Sequence, residues 1–99
     1  FKGCTLNYST FIGLNLKGIR MVDCIAHDVD FADADLTQAD FTKTDLLESR
    51  FRHTILAHAD FTDARNYVID PSINTLTKAT FSLPEALSLL RNMDIILKE

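Results

Sequence analysis

The sequence has no apolar run of membrane-spanning length. It also has no glycine-rich phosphate loop, nucleophile elbow, Cys-x-x-Cys pair or paired-carboxylate arrangement, so nucleotide, acyl-transfer and dithiol chemistry have no signature here. The chain reads as soluble and non-enzymatic, with no cofactor and no metal site. Glycine is scarce: Gly3, Gly13 and Gly18 are the three present, and they read as corner residues. Residues 1–22 contain Lys2, Lys17 and Arg20 but no acidic residue.

Against those absences stands a strict five-residue beat, clearest in Phe31 to Asp45, FADAD-LTQAD-FTKTD. In an α-helix five residues sweep about 500°, so no stripe forms. In a flat strand an odd spacing throws successive large residues onto opposite faces. A quarter turn per unit keeps every fifth residue inside, and four units then close a square coil of a solenoid.

Every fifth position from Phe1 to Phe61 is apolar. Sorted by twenty, these positions form columns Phe1/Met21/Phe41/Phe61, Leu6/Ala26/Leu46, Phe11/Phe31/Phe51 and Leu16/Leu36/Leu56, with Ala26 the thin spot. Two residues before each centre comes a second inward position: Cys4, Ser9, Leu14, Ile19, Cys24 and so on to Ala59 and Ala64, none charged. Small residues there fit a tight corner beside a large neighbour. The remaining three of every five side chains are expected to face water.

Units such as Ala34-Asp35-Leu36 and Ala39-Asp40-Phe41 closely resemble the A(D/N)LXX motif of the pentapeptide repeat family. The resemblance covers about two thirds of the chain. It implies an all-β solenoid, a right-handed quadrilateral β-helix, over residues 1–65. Because Phe1 is already the centre of a unit, the sequence is expected to be the C-terminal part of a longer product.

Residues 66–99 form the expected capping tail. After Asn66 the beat stops, a turn is expected around Pro71 to Asn74, and Leu76 to Phe81 reads as extended. Ser82 and Glu85 make a capping box with Pro84 in the first turn, which places an α-helix over 83–92. Its apolar residues exceed half the circumference, so one side should plug the coil and the rest meet a second copy. The run from Asn66 to Leu90 is similar to tails of bacterial quinolone-resistance and topoisomerase-protection members of the family. That resemblance implies a homodimer through Leu83, Leu87, Leu89, Leu90, Met93, Ile95, Ile96 and Leu97.

His27, His53 and His58 are the obvious candidates for a metal or general base, but all three fall at outward positions that do not converge. Cys4 and Cys24, twenty apart, occupy stacked inward positions that Ser, Thr and Ala fill elsewhere, so they read as free core thiols of a reducing, cytoplasmic setting.

The charge pattern is the functional clue. Asp23, Asp28, Asp30, Asp33, Asp35, Asp40, Asp45 and Glu48 face only Lys43 within residues 23–48. That is about 6 Å of rod, a length over which duplex DNA carries three to four charges at about one per 1.7 Å. Direct nucleic-acid binding is disfavoured, and a DNA-binding protein is the expected partner. The family resemblance implies a mimic of duplex DNA that engages a type II topoisomerase, DNA gyrase or topoisomerase IV, and protects against quinolones or peptide toxins. Those eight carboxylates are the residues it would use. In one respect the chain departs from such proteins: residues 1–65 leave no room for a loop projecting from the coil. The alternative reading is a general protein–protein interaction scaffold, with Ile12, Val22, Ile25, Leu47 and Ile55 as an apolar contact surface, or a structural spacer.

Overall fold

A computed structural model describes residues 1–83, 85–87 and 89. Its backbone follows one pairing rule: residue i lies beside residue i+20, in parallel, from Lys2↔Val22 through Asp40↔Asp60 to Phe61↔Phe81. Twenty residues therefore complete a coil. The rungs are short because each unit spends most of its residues on a corner. The longest continuous pairing is between β1 (Asp60–Phe61) and β2 (Thr80–Phe81).

The unit 31–35 shows how a corner is made. Phe31 points inward, Ala34 N–H closes a tight turn on Phe31 C=O at 3.1 Å, and Asp33 between them adopts a left-handed φ of 60°. The same φ recurs every five residues, at Gly3, Tyr8, Gly13, Gly18, Asp23 and onward. Gly3, Gly13 and Gly18 thus hold the corner positions expected of them. Non-glycine residues there carry a cost of order 1 kcal/mol each, which an inter-coil bond offsets. Asp23 N–H reaches Thr42 C=O at 2.8 Å, and Asp33 N–H reaches Arg52 C=O at 2.9 Å.

Inside, Phe11, Phe31 and Phe51 stack in one file, with successive centroids 5.6 and 5.0 Å apart and planes within 13° of parallel. Phe41, Phe61 and Phe81 stack in the facing file at 5.1 and 4.9 Å. Across the axis the two files meet edge to face, as Phe31–Phe41 does at 82°. Aromatic quadrupoles favour offset stacks and perpendicular edges, so square geometry and ring electrostatics agree. Leu36, Leu46, Leu56 and Ala26 fill the other two sides and are fully buried.

The second inward position is more than a steric fit. Thr44 Oγ1 accepts from Cys24 N–H at 3.2 Å and donates to Met21 C=O, twenty and twenty-three residues earlier. Ser49 does the same between Val29 N–H and Ala26 C=O. Asn74 repeats the pattern with its amide, accepting from Thr54 N–H at 2.9 Å and donating to Phe51 C=O at 3.0 Å. These side chains staple one coil to the next at corners where the backbone ladder is silent.

Leu14 departs from expectation: it is 48% exposed. It lies in the first coil, as does Phe1, 54% exposed, and no further coil among the described residues covers that side. Val22, expected outside, is half-buried.

Coil pairing also continues past the point where the sequence beat stops. Ile55 bridges Thr75 and Asp60 bridges Thr80, so Leu76 to Phe81 belongs to a fourth coil. At residues 66–70 the unit is altered: Tyr67 and Ile69, two apart, both turn inward and are buried. The expected turn follows, with Asp70 Oδ1 accepting from Ser72 N–H and Oγ at 2.9 and 2.7 Å. Ser82 differs from the expected cap: its hydroxyl accepts from Asp63 N–H at 3.1 Å, while its carbonyl accepts from Ala86 N–H at 3.0 Å. Most of the helix expected over 83–92 lies outside the described residues.

Candidate protein-binding surface

The eight candidate carboxylates fall into two classes set by their place in the unit. Asp30, Asp35, Asp40 and Asp45 close their units and are half-buried. Each turns Oδ1 onto the amide two residues ahead, at Ala32, Thr37, Thr42 and Leu47, 3.0 to 3.2 Å away. Asp35 and Asp40 also accept the hydroxyls of Thr37 and Thr42. This is the Asx-turn chemistry that makes aspartate favourable before a bend.

The Thr37 hydroxyl and amide hold Asp35 below the usual carboxylate range, helped by Lys17. Burial works against the charge of Asp40 and Asp45. It is outweighed at Asp40 by Thr42 and Arg20, and at Asp45 by Asn66 and His27, so both stay below the usual range.

Asp23, Asp28, Asp33 and Glu48 occupy the left-handed corner positions instead. None of the four makes such a turn bond.

Ion pairs divide the set further. Lys17 lies 3.6 Å from Asp35 and Arg20 lies 3.8 Å from Asp40. Arg50 reaches Asp28 at 3.3 Å and Asp30 at 3.5 Å, and His27 Nε2 meets Asp45 at 2.8 Å. Among the described residues, Asp23, Asp33 and Glu48 have no cation within ion-pair distance. The basic opening and acidic middle of the sequence are therefore interleaved rather than segregated. Charge is sorted by wall: the wall of units 26–30, 46–50 and 66–70 carries Asp28, Asp30, Glu48 and Asp70 against Arg50 alone.

Of the tail residues, Leu83 is 77% and Leu87 38% exposed, whereas Leu89 packs on the chain's own core. Leu90, Met93, Ile95, Ile96 and Leu97 lie outside the described residues. His53 and His58 are exposed, and His27 is half-buried through its carboxylate partner. No three metal-binding side chains converge among the described residues, and no helix there is long and apolar enough to cross a membrane. Cys4 and Cys24 are free thiols, and Cys24 points its sulfur at Val22 C=O, 3.4 Å away.

Stacked square coils with a corner every five residues define a repeat β-helix. The pentapeptide repeat region family model matches residues 1–82, and the chain belongs to the pentapeptide repeat family. Among solved structures it is similar to HetL, a pentapeptide repeat protein involved in heterocyst differentiation regulation in the cyanobacterium Nostoc, at 21% identity and TM-score 0.68 over 76% of this chain and 35% of that one. It is similar also to a pentapeptide repeat protein of the Arabidopsis thaliana thylakoid lumen, at 28% identity and TM-score 0.63 over 78% of this chain and 50% of that one. QnrB1, a plasmid-mediated fluoroquinolone resistance protein, matches at 18% identity and TM-score 0.45 over 95% of this chain and 45% of that one. The chain thus spans half or less of each of these proteins. No curated protein sequence matches it.

Proposed function

We propose that this chain is a non-enzymatic protein-binding module that presents its most acidic wall to a basic surface of a DNA-binding protein. The observation that supports this reading is the concentration of Asp28, Asp30, Glu48 and Asp70 on one wall, with Arg50 the sole counter-charge. A regular rod edged with carboxylates offers fixed charge at fixed spacing, which steers and orients a basic partner. The particular partner is a type II topoisomerase, DNA gyrase or topoisomerase IV, approached as a duplex-DNA mimic. Quinolone or toxin protection would follow from occupying the DNA site. The chain pairs as a homodimer through its tail, for which exposed Leu83 and Leu87 supply apolar surface. A reducing cytoplasmic setting suits its two thiols.

The apolar-scaffold alternative has less support. Ile12, Ile25, Leu47 and Ile55 are exposed, but only Ile12 and Ile55 share a wall, two coils apart, while Ile25 and Leu47 belong to two others.

The test is gyrase supercoiling with and without ciprofloxacin, using the full-length dimer. Protection or inhibition is expected, and the double variant Asp28→Lys, Glu48→Lys, both on that wall, should abolish it. These two carry no turn cap, so the coil survives their reversal. No effect of the parent protein at large molar excess removes the topoisomerase reading.

A further inference from the structure

Between Asp45↔Arg65 and Ile55↔Thr75, no bridge joins the third coil to the fourth among the described residues, although every higher level pairs at five-residue intervals. The missing partner pair is Arg50 with Asp70. One level up, Phe31 N–H donates to Arg50 C=O at 2.9 Å, and Arg50 N–H donates to Val29 C=O at 2.8 Å. The corresponding groups below, Phe51 N–H and Ser49 C=O, have no backbone partner among the described residues. Neither has Glu48 N–H, whose counterpart Asp28 N–H reaches Leu47 C=O at 3.0 Å.

The cause is the altered unit of the fourth coil. With Tyr67 and Ile69 both turned inward, Val68 between them is forced out, 64% exposed, and the ladder parts. A cleft of about 480 Å³ opens there, with Leu47 and Val68 on its apolar side. It reaches the core: Ser49 and Phe51 are each 5% exposed where Val29 and Phe31 are 0%. Arg50 is occupied by Asp28 and Asp30. Arg52, on the rim, has no carboxylate within ion-pair distance among the described residues.

An unpaired N–H and C=O flanking one residue form the receptor half of a parallel bridge, which a single extended residue fills with its own C=O and N–H. We propose that this cleft docks an extended peptide segment of a partner protein. Its backbone fills the vacant bridge beside Arg50, an apolar side chain covers Leu47 and Val68, and an adjacent carboxylate meets Arg52. Glu48 and Asp70 of the acidic wall also line this cleft, but the docking rests on backbone groups and Arg52, and the peptide titration reads it apart from any topoisomerase assay.

The probe is the blocked peptide acetyl-Thr-Val-Glu-Val-Thr-amide, titrated into the full ¹⁵N-labelled chain. In the free protein the Phe51 amide should exchange with deuterium at least about a hundredfold faster than that of Phe31. The peptide should move the Glu48 and Phe51 amide resonances downfield and slow their exchange, leaving Phe31 and Phe41 unchanged. Methylating the backbone nitrogen of the central residue should weaken binding about five- to tenfold. Val68→Asp and Arg52→Glu, both at exposed side chains, should each weaken it by about tenfold. The Lys version of the peptide should recover binding to Arg52→Glu. Unmoved Glu48 and Phe51 amides at about 10 mM probe, or equal binding of the N-methylated peptide, would overturn the proposal.

Discussion

Arg20, in the first coil, lies 3.8 Å from Asp40, its bridge partner twenty residues on and one rung below. Lys17 lies 3.6 Å from Asp35, eighteen residues on and likewise in the next coil. Together they cancel part of the acidic band that the linear sequence displays. Arg20→Ala with Lys17→Ala should therefore lower stability by under about 1 kcal/mol, as exposed pairs do. It should also strengthen binding to a basic partner at low salt, with the gain disappearing as ionic strength rises. Urea unfolding and salt-dependent titration measure the two effects, and an unchanged affinity would detach those carboxylates from recognition.

The buried staples are worth more than the surface pairs. Thr44→Val keeps the shape but leaves Cys24 N–H and Met21 C=O facing a methyl group. A loss of about 2 to 4 kcal/mol is expected in urea unfolding. Thr37→Val, which removes a half-exposed hydroxyl from Asp35, should cost under about 1 kcal/mol. Equal losses would mean the inward hydroxyls only fill space.

Tyr67 buries its hydroxyl with no hydrogen-bond partner among the described residues. Burial, with Glu85 adding repulsion, pushes its pKa up to about 12 from 10.0. The folded form thus holds the proton where the unfolded chain releases it, so this contribution is intact below pH 10 and is lost as pH rises toward 12. Tyr67→Phe should raise stability at neutral pH by about 1 kcal/mol and flatten that alkaline decline in thermal melts.

At the acid end the sign is opposite. Asp35, Asp40, Asp45 and Asp70 are all held below their ordinary 3.8, so their contribution is present above that value and lost as pH falls beneath it. Circular-dichroism melts from pH 5 to 2 should show a steep fall below 3.8. Asp35→Asn should make it shallower, because the amide oxygen can still accept from Thr37 N–H but no longer titrates.

Period and polarity were legible from residues alone. A bulky group every five positions dictated the square coil, and Phe11, Phe31 and Phe51 lie in the file that spacing demands. The aspartates before each centre could be found too, but their work as turn caps could not be told from work as a binding surface, because both keep a carboxylate near the outside. The hydroxyls at Thr44, Ser49 and Thr54 carried a signal that was read only as size.

What the linear chain settled was therefore everything that repeats. A residue whose environment is set by its place in a five-residue unit needs no distant information, and side-chain size and turn chemistry decide it. Folding decided the non-repeating matters: which cation meets which carboxylate across a rung, and where the fourth coil parts from the third. Those depend on partners twenty residues away and on Tyr67 and Ile69 turning inward together, with the Tyr67 ring 5.7 Å from that of Phe61.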